Sequence, residues 1–227
     1  MRKIVDCFLF FNEANEAEQL LKCRLKTLDP IVDIFVLVES DAAFAKLVQS
    51  DDPYIRPFLS KIRAFNVQGV KQEDAPLEHE AMLRNGIALA LKTLSLSCED
   101  IILLSNVDEI PKTASLHRFI NSTSMPVLSP HVCDQQFFYY SFEYLHTHSW
   151  QGTNVLTYGE LEKYSPQHLR SIRQYLPRIA DGGCRCSHFG NIEYIKTRIP
   201  DFSHQDYNTD EIFNKLQKAL ASMEESL

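Results

Sequence analysis

Three short apolar runs in the first half of the chain constrain its fold more than any other feature. They span residues 3–11, 33–39 and 100–105, and each is rich in Ile, Val, Leu or Phe with little polar alternation. Strands that are covered on both faces show this nearly continuous apolar pattern. Residues 62–67 form a weaker fourth run. The chain is therefore expected to contain a largely buried β-sheet.

Helical patterns lie between these runs. Residues 14–27 and 77–94 carry apolar side chains at helical spacing, and the first pattern stops near Asp29 and Pro30. Pro76 precedes the second pattern, where its missing N–H does no harm to a helix. Strands that alternate with helices favour a mostly parallel sheet. We predict an α/β fold in which helices flank a Rossmann-like sheet.

The second half of the chain has a different character. It is aromatic and β-prone, and then ends in an amphipathic pattern. It predicts strands within residues 127–144, 153–158 and 184–189, a short helix over 166–175, and a last helix that begins at Asn208 or Thr209. No linker or repeat divides the chain, so we expect one domain over 1–227. Its parts would be 1–111, a closing half 112–208, and a C-terminal helix and tail 209–227.

Composition excludes several classes of protein. The 227 residues carry a net charge of −7 and no basic stripe, which argues against nucleic-acid binding. No stretch approaches the roughly 20 apolar residues of a membrane span, so no transmembrane segment is expected. Asp6 interrupts the apolar N-terminus, and no small-residue cleavage site follows it. A cytoplasmic location with reduced thiols is the resulting expectation.

Polar and acidic residues follow each of the three main strands. Ligands of open α/β sheets bind outside the carboxyl ends of the strands, so these residues are expected to share one crevice. Buried carboxylates need a cation among them, and oxygen ligands suit Mg²⁺ or Mn²⁺. A helix that begins near Thr113 would explain an acidic turn equally well. The strand-end residues are Asn12, Glu13, Glu39, Asn106, Asp108 and Glu109.

A set of short blocks, in the right order, resembles glycosyltransferase family 17. The segment 100–111, Asp-Ile-Ile-Leu-Leu-Ser-Asn-Val-Asp-Glu-Ile-Pro, looks like the DxD block of that family. The other blocks are 5–13, 28–40, 84–85, 150–153, 181–187 and 202–206. The resemblance implies the A-type glycosyltransferase (GT-A) fold, with residues 1–111 as the half that binds the nucleotide sugar and 112–208 as the acceptor half.

The resemblance also implies an activity. Family 17 includes the enzyme that adds a bisecting N-acetylglucosamine to the core mannose of N-glycans in β-1,4 linkage, with inversion. We therefore expect a metal-dependent transferase that moves a sugar, N-acetylglucosamine by resemblance, from UDP-GlcNAc to a saccharide acceptor with Mn²⁺ or Mg²⁺ as cofactor. Asn106 replaces the first Asp of the DxD block, and Arg185 replaces a family His. A family member that binds nucleotide or glycan without turnover is thus the alternative.

The resemblance suggests roles for individual residues. Asp108 is the first choice for a metal ligand, with a late histidine, His204 or His188, as a second ligand. The general base would be Glu109, with Asp134 or Asp181 as alternatives. The residues expected to bind the donor are Asn12, Glu13, Glu39, Arg84, Asn106, Asp108 and Arg185.

Each of these roles has a structural alternative. Trp150 and Thr153 are expected to contact the acceptor, but a lone tryptophan packs equally well into a core. Arg84 could pair with Glu80, four residues earlier in the same helix, rather than reach a diphosphate.

Overall fold

The computed structural model describes residues 2–10, 15–40, 43–49, 51–68, 76–122, 128–139 and 142–187. Asn12, Glu13, His188, His204 and the helix predicted after Asn208 lie outside these ranges.

The observed elements follow the predicted order. The strands are β1 (Ile4–Leu9), β2 (Ile34–Glu39), β3 (Ile62–Asn66), β4 (Ile101–Asn106), β5 (Glu109–Pro111), β6 (His131–Tyr139), β7 (Trp150–Thr157), β8 (Arg178–Ile179) and β9 (Gly183–Ser187). The helices are α1 (Asn15–Leu28), α2 (Ala43–Gln49), α3 (Pro76–Lys92), α4 (Thr113–Ser122), α5 (Tyr158–Leu161) and α6 (Pro166–Ile172), and a 3-10 turn follows α6 at Arg173–Tyr175. All three main apolar runs and the weaker fourth are strands, as predicted.

The strands form one mixed sheet in the order β3-β2-β1-β4-β7-β6-β9-β5, and β8 pairs with β6. The first four of these strands are parallel, and β7 runs antiparallel to β4. The predicted α/β architecture with a mostly parallel Rossmann-like sheet is confirmed.

Helices cover both faces of the parallel strands. On one face α1 packs Leu21 and Leu25 against Phe8 and Phe35. On the other face α3 packs Leu83 and Ile87 among residues of β1, β2 and β4. Because both faces are buried, the strands need apolar side chains at every position, which explains the continuous runs in the sequence.

A buried ion pair lies within the sheet and against α1. Asp6, in the middle of β1, is fully buried and forms an ion pair with Arg24 of α1 at 2.6 Å. Arg24 also donates hydrogen bonds to the hydroxyl of Ser105 at 2.6 Å and to the backbone carbonyls of Asn106 and Glu109 at 3.0 and 2.7 Å. This pair therefore supports, from inside the fold, the turn that connects β4 to β5.

The sheet brings the predicted strand ends together. Leu9 at the end of β1 lies opposite Asn106 at the end of β4, so these two strands finish level with each other. The chain from β3 crosses to β4 on the far side of β1, which makes the β1–β4 boundary the point where the strand order reverses. The turn after Asn106 therefore occupies the usual ligand position of an open α/β sheet.

Candidate active site

The β4–β5 turn, residues 106–109, is the centre of the candidate site. Its conformation is closed by the backbone N–H of Asn106, which donates to Oε2 of Glu109 at 3.0 Å. Strand β9 lies beside it, with Arg185 opposite Glu109 in the register, and the N–H of Cys186 donates to the carbonyl of Asp108 at 2.9 Å. The turn is thus fixed by Arg24 from beneath and by β9 from the side.

A glycine allows β9 to approach this closely. Gly183 has φ of +118°, and a Cβ at this position would lie 2.2 Å from the carbonyl oxygen of Ile110. Any side chain would therefore push β9 away from β5. Gly183 thereby allows Arg185 to lie next to the acidic turn.

Asp108 is the more accessible of the two carboxylates of the turn. Its side chain is 18% exposed, and its Oδ2 accepts a hydrogen bond from Nε of Arg185 at 3.1 Å. Burial raises the pKa of Asp108, and the Arg185 cation offsets part of that effect. The carboxylate is thus held by one guanidinium and stays partly exposed to solvent.

Asn106 presents an oxygen for which the described part of the chain supplies no hydrogen-bond donor. Its Oδ1 is buried and accepts no hydrogen bond from the described residues. A buried amide oxygen without a donor is costly, so it needs an explanation. A cation next to Asn106 and Asp108 would satisfy it, because hard cations take amide and carboxylate oxygens as ligands. These two residues fit a divalent metal, although the described residues contain no cluster of three or more His, Cys, Asp or Glu side chains that could hold one.

Glu109 lies behind the turn and is fully buried. Its Oε1 accepts from the indole N–H of Trp150 at 2.7 Å and lies 2.8 Å from Arg170, and its Oε2 accepts from Asn106 and Arg170, each at 3.0 Å. Burial alone would raise the pKa of Glu109, but the nearby Arg170 and Arg185 lower it to about 2. Both oxygens are occupied, and such a carboxylate is a weak base near neutral pH.

Four arginines surround this carboxylate and the Trp150 ring. Three of them have carboxylate partners: Arg84 pairs with Glu80, Arg170 with Glu109, and Arg185 with Asp108. The guanidinium carbons of Arg185, Arg173 and Arg170 lie 3.9, 4.8 and 5.6 Å from the centre of the ring. The ring that was expected to stack on a sugar thus already stacks on cations.

Several predicted residues have mainly structural contacts. Glu39 is buried and accepts from the N–H of Phe44 at the start of α2. Arg84 is 3% exposed, and besides Glu80 it donates to the side chain of Gln167 at 3.0 Å. Thr153 is fully buried and donates to the carbonyl of Glu109 at 3.2 Å. The structure does not bring these side chains to an open surface, and their predicted ligand contacts remain predictions.

Asp181 lies apart from the acidic turn's carboxylates. It is exposed, has φ of +53°, and pairs with Lys112 at 2.6 Å and with the Ser115 hydroxyl at 3.3 Å. Asp134 accepts from Ser149 and Gln151. Among the described residues, neither carboxylate forms a hydrogen bond or ion pair with Trp150 or Glu109.

Two residues of this site were not predicted from the sequence. Arg170 and Arg173 belong to α6 and the turn that follows it, and they reach Glu109 and Trp150 from a segment predicted only as a short helix. Their spacing of three was a usable signal, because residues three apart share a helix face. The sequence held no indication that this face meets the β4–β5 turn.

Comparison with known families decides the identity of the chain. The family model described as glycosyltransferase family 17 matches residues 1–223. The chain belongs to glycosyltransferase family 17. The resemblance to glycosyltransferase family 17 is therefore confirmed, and the protein is a glycosyltransferase by family. A search of curated proteins found no match.

Solved structures share the fold of this family member. Two are 4-diphosphocytidyl-2C-methyl-D-erythritol synthases. The first is 16% identical with a TM-score of 0.51, covering 89% of this chain and 98% of the other. The second, from Anaerococcus prevotii, is 12% identical with a TM-score of 0.51, covering 86% and 93%.

A third similar structure is a mannosyltransferase from Pyrobaculum calidifontis in complex with GDP-Man and Mn²⁺. It is 13% identical with a TM-score of 0.51, and the match covers 88% of this chain and 61% of that protein. The predicted GT-A fold is thereby confirmed. Among the helices that the structure describes, none combines the length and apolar character needed to cross a membrane.

Proposed function

We propose that this family 17 member is an inverting glycosyltransferase that moves a sugar from a UDP-sugar to a saccharide acceptor in β linkage. N-acetylglucosamine is the proposed donor sugar, since the family resemblance points to it. The observation that carries the proposal is the β4–β5 turn. The turn lies at the reversal point of the sheet and carries the partly exposed carboxylate of Asp108 and the Asn106 oxygen, which has no donor among the described residues.

The residues of the turn suit a metal-assisted departure of the diphosphate. Asp108 and Asn106 would hold a Mn²⁺ or Mg²⁺ ion, which when bound supplies positive charge to the leaving group. A solved mannosyltransferase of this fold has Mn²⁺ in its complex, which supports the same requirement here. Arg185 stands next to Asp108 and would add a fixed positive charge at the phosphates.

Glu109 is proposed as a positioning residue. Its carboxylate fixes the indole of Trp150 and the guanidinium of Arg170, so both groups keep one orientation beside the turn. Preorganised cations of this kind stabilise charge as it develops in a transition state without reorganisation. Arg170 and Arg185 hold the pKa of Glu109 at about 2, which disfavours Glu109 as the general base. Asp181 and Asp134 remain the candidates from the sequence.

Binding of the donor tests this proposal. Calorimetry would compare UDP and UDP-N-acetylglucosamine, with and without Mn²⁺, on the wild type and on Asp108→Asn. We expect binding that depends on Mn²⁺ and falls at least about tenfold in the variant, since a charge-assisted contact contributes about 1.5–3 kcal/mol. Asp51→Asn is the matched control, because Asp51 is an exposed aspartate at positive φ where asparagine is tolerated. Equal affinity in all three proteins would refute the assignment of the donor site.

A second candidate is a family member that binds the sugar nucleotide without turnover. Asn106 supplies no charge, and Asp108 is already partly neutralised by Arg185, which favours this reading. The variant Asn106→Asp separates the two. An active enzyme turns over before the change, and the change only strengthens its metal affinity. A protein that gains turnover only with the new aspartate would be the binding form.

A further inference from the structure

A second feature of the site is a pocket of about 390 Å³ beside Trp150. Its walls include the aromatic rings of Phe137 and Trp150 and the polar side chains of His146, His148 and Arg173. Its volume lies within the roughly 300–1,000 Å³ range of small-molecule sites. Aromatic rings beside hydrogen-bonding groups suit a sugar, which has an apolar face and polar edges.

The lining of this pocket contains a cation and no carboxylate. None of the lining residues is an aspartate or a glutamate, whereas Arg173 is present together with two histidines. Three arginines stack on the Trp150 ring, and among the described residues Arg173 is the one of them that has no carboxylate within salt-bridge distance; Arg170 and Arg185 each have one. Asp134 accepts hydrogen bonds from two lining residues, but its carboxylate lies 3.7 Å from Arg178 rather than beside Arg173. The guanidinium of Arg173 therefore favours an anionic ligand.

Arg173 has donors to spare. Its Nη1 donates to the carbonyl of Arg170 at 2.8 Å, and its guanidinium packs over the Trp150 ring. A guanidinium carries five N–H donors, so most of its capacity is open to a ligand. Burial and repulsion from Arg170 lower the pKa of Arg173 to about 10. An anion in the pocket would relieve this repulsion.

The pocket adjoins the proposed donor site through a single ring. Arg173 stacks on Trp150 from the pocket, and Arg185, which pairs with Asp108, lies 3.9 Å from the centre of the same ring. The pocket walls come from β6, β7 and the α6 region, in the half of the chain expected to hold the acceptor. A sugar in this pocket would therefore lie next to the donor rather than in its place.

We propose that this pocket binds an acceptor sugar that carries an anionic substituent, a phosphate or a carboxylate, with Arg173 as its principal ligand. The inference rests on the proposed glycosyltransferase function and adds the chemical class of the acceptor. His146 and His148 contribute further hydrogen bonds from the rim, where both are exposed. Arg173 is thus a specificity residue of the acceptor site.

Calorimetry with four probes tests the inference: glucose, glucose 6-phosphate, glucuronate and inorganic phosphate. Each is titrated into the full chain that is saturated with UDP. We expect glucose 6-phosphate or glucuronate to bind at least tenfold more tightly than glucose, and the stronger of the two identifies the substituent. Arg173→Gln should abolish the preference, and Arg173→Lys should keep part of it. Arg63→Gln, an exposed arginine on β3, should leave the preference unchanged.

Two results would overturn the inference. Charged sugars that bind no better than glucose, or not at all, would show that the pocket does not select an anion. Inorganic phosphate that competes with UDP and is lost in Arg173→Gln would place Arg173 in the donor site. Failure of the proposed function is seen separately, as absence of UDP binding in the wild type.

Discussion

Two pairs of aspartate and arginine show how the same chemistry serves different ends in this molecule. The Asp6–Arg24 pair is 0% exposed at both side chains, whereas the Asp108–Arg185 pair is 18% and 19% exposed. In the first pair, two hydrogen bonds join the partners and the remaining donors of Arg24 go to Ser105 and to backbone carbonyls. In the second, the structure shows one hydrogen bond, from Nε of Arg185.

The difference between the two pairs separates support from function. The Asp6–Arg24 pair has no room for a ligand, and its hydrogen bonds hold the β4–β5 turn in place. The Asp108–Arg185 pair lies at that turn, and its single hydrogen bond leaves other donors and acceptors of the two side chains available to a ligand. A saturated buried pair indicates structure, and an accessible, singly bonded pair indicates a site.

Loss of the buried pair should have the largest effect on stability. Arg24→Met would leave the buried Asp6 carboxylate without its guanidinium partner and would remove one donor each from the carbonyls of Asn106 and Glu109. We expect the free energy of unfolding to fall by about 3–5 kcal/mol, the usual cost of breaking a buried ion pair. Urea denaturation measures this change, with Arg63→Met as the exposed control, expected to stay within about 0.5 kcal/mol. A similar small loss in both variants would contradict the supporting role of the Asp6–Arg24 pair.

Glu109 should behave as a supporting carboxylate, and its effect should depend on pH. Its folded pKa of about 2 lies below the unfolded value of about 4.3, so its stabilisation is complete above the unfolded value and disappears as the pH falls towards 2. Glu109→Gln should therefore cost about 3 kcal/mol near pH 7, and the gap to wild type should narrow below about pH 4.3.

Urea denaturation of both proteins between about pH 6 and about pH 3.5 checks this behaviour. A gap that stays constant with pH would show that the Glu109 charge does not stabilise the fold, which would reopen its role as a base.

Substitution of Asp181, an exposed carboxylate in an ion pair away from the β4–β5 turn, should have the smallest effect of these changes. Asp181 pairs with Lys112 and Ser115 at a wall of a second pocket, which shares no lining residue with the pocket beside Trp150. Asp181→Asn should leave the thermal midpoint and sugar transfer unchanged, because exposed ion pairs contribute little. Loss of transfer with unchanged UDP affinity would instead identify Asp181 as the general base.

The sequence predicted most of the fold because burial on two faces leaves a clear pattern. The runs that became β1, β2 and β4 are almost continuously apolar, since α1 and α3 cover both sides of the sheet. Asp6 was read only as a break in an apolar run. A carboxylate within a buried strand requires a partner, so the need for an arginine was in principle visible. That Arg24 is this partner depends on how α1 packs, which the sequence does not display.

The candidate site was predicted in part. Asn106, Asp108 and Arg185 meet at the β4–β5 turn, as the strand-end argument and the family resemblance indicated. Arg170 and Arg173 come from a segment more than 60 positions after the turn, and only the packing of α6 brings them to Trp150. From the sequence, Trp150 was expected either to contact a sugar or to pack into the core. In the structure it has a third role, as the surface on which the arginines stack.

The most direct test of the account is the rate at which UDP is released from UDP-N-acetylglucosamine in the presence of acceptor sugars, for wild type, Asp108→Asn and Asp51→Asn. We expect Asp108→Asn to keep the wild-type unfolding midpoint but to lose about 10²-fold or more in turnover. This loss is comparable to removal of one electrostatic stabiliser from a transition state. Asp51→Asn should match the wild type. Wild-type turnover in a folded Asp108→Asn protein would contradict the claim that the accessible pair at Asp108 is the catalytic centre.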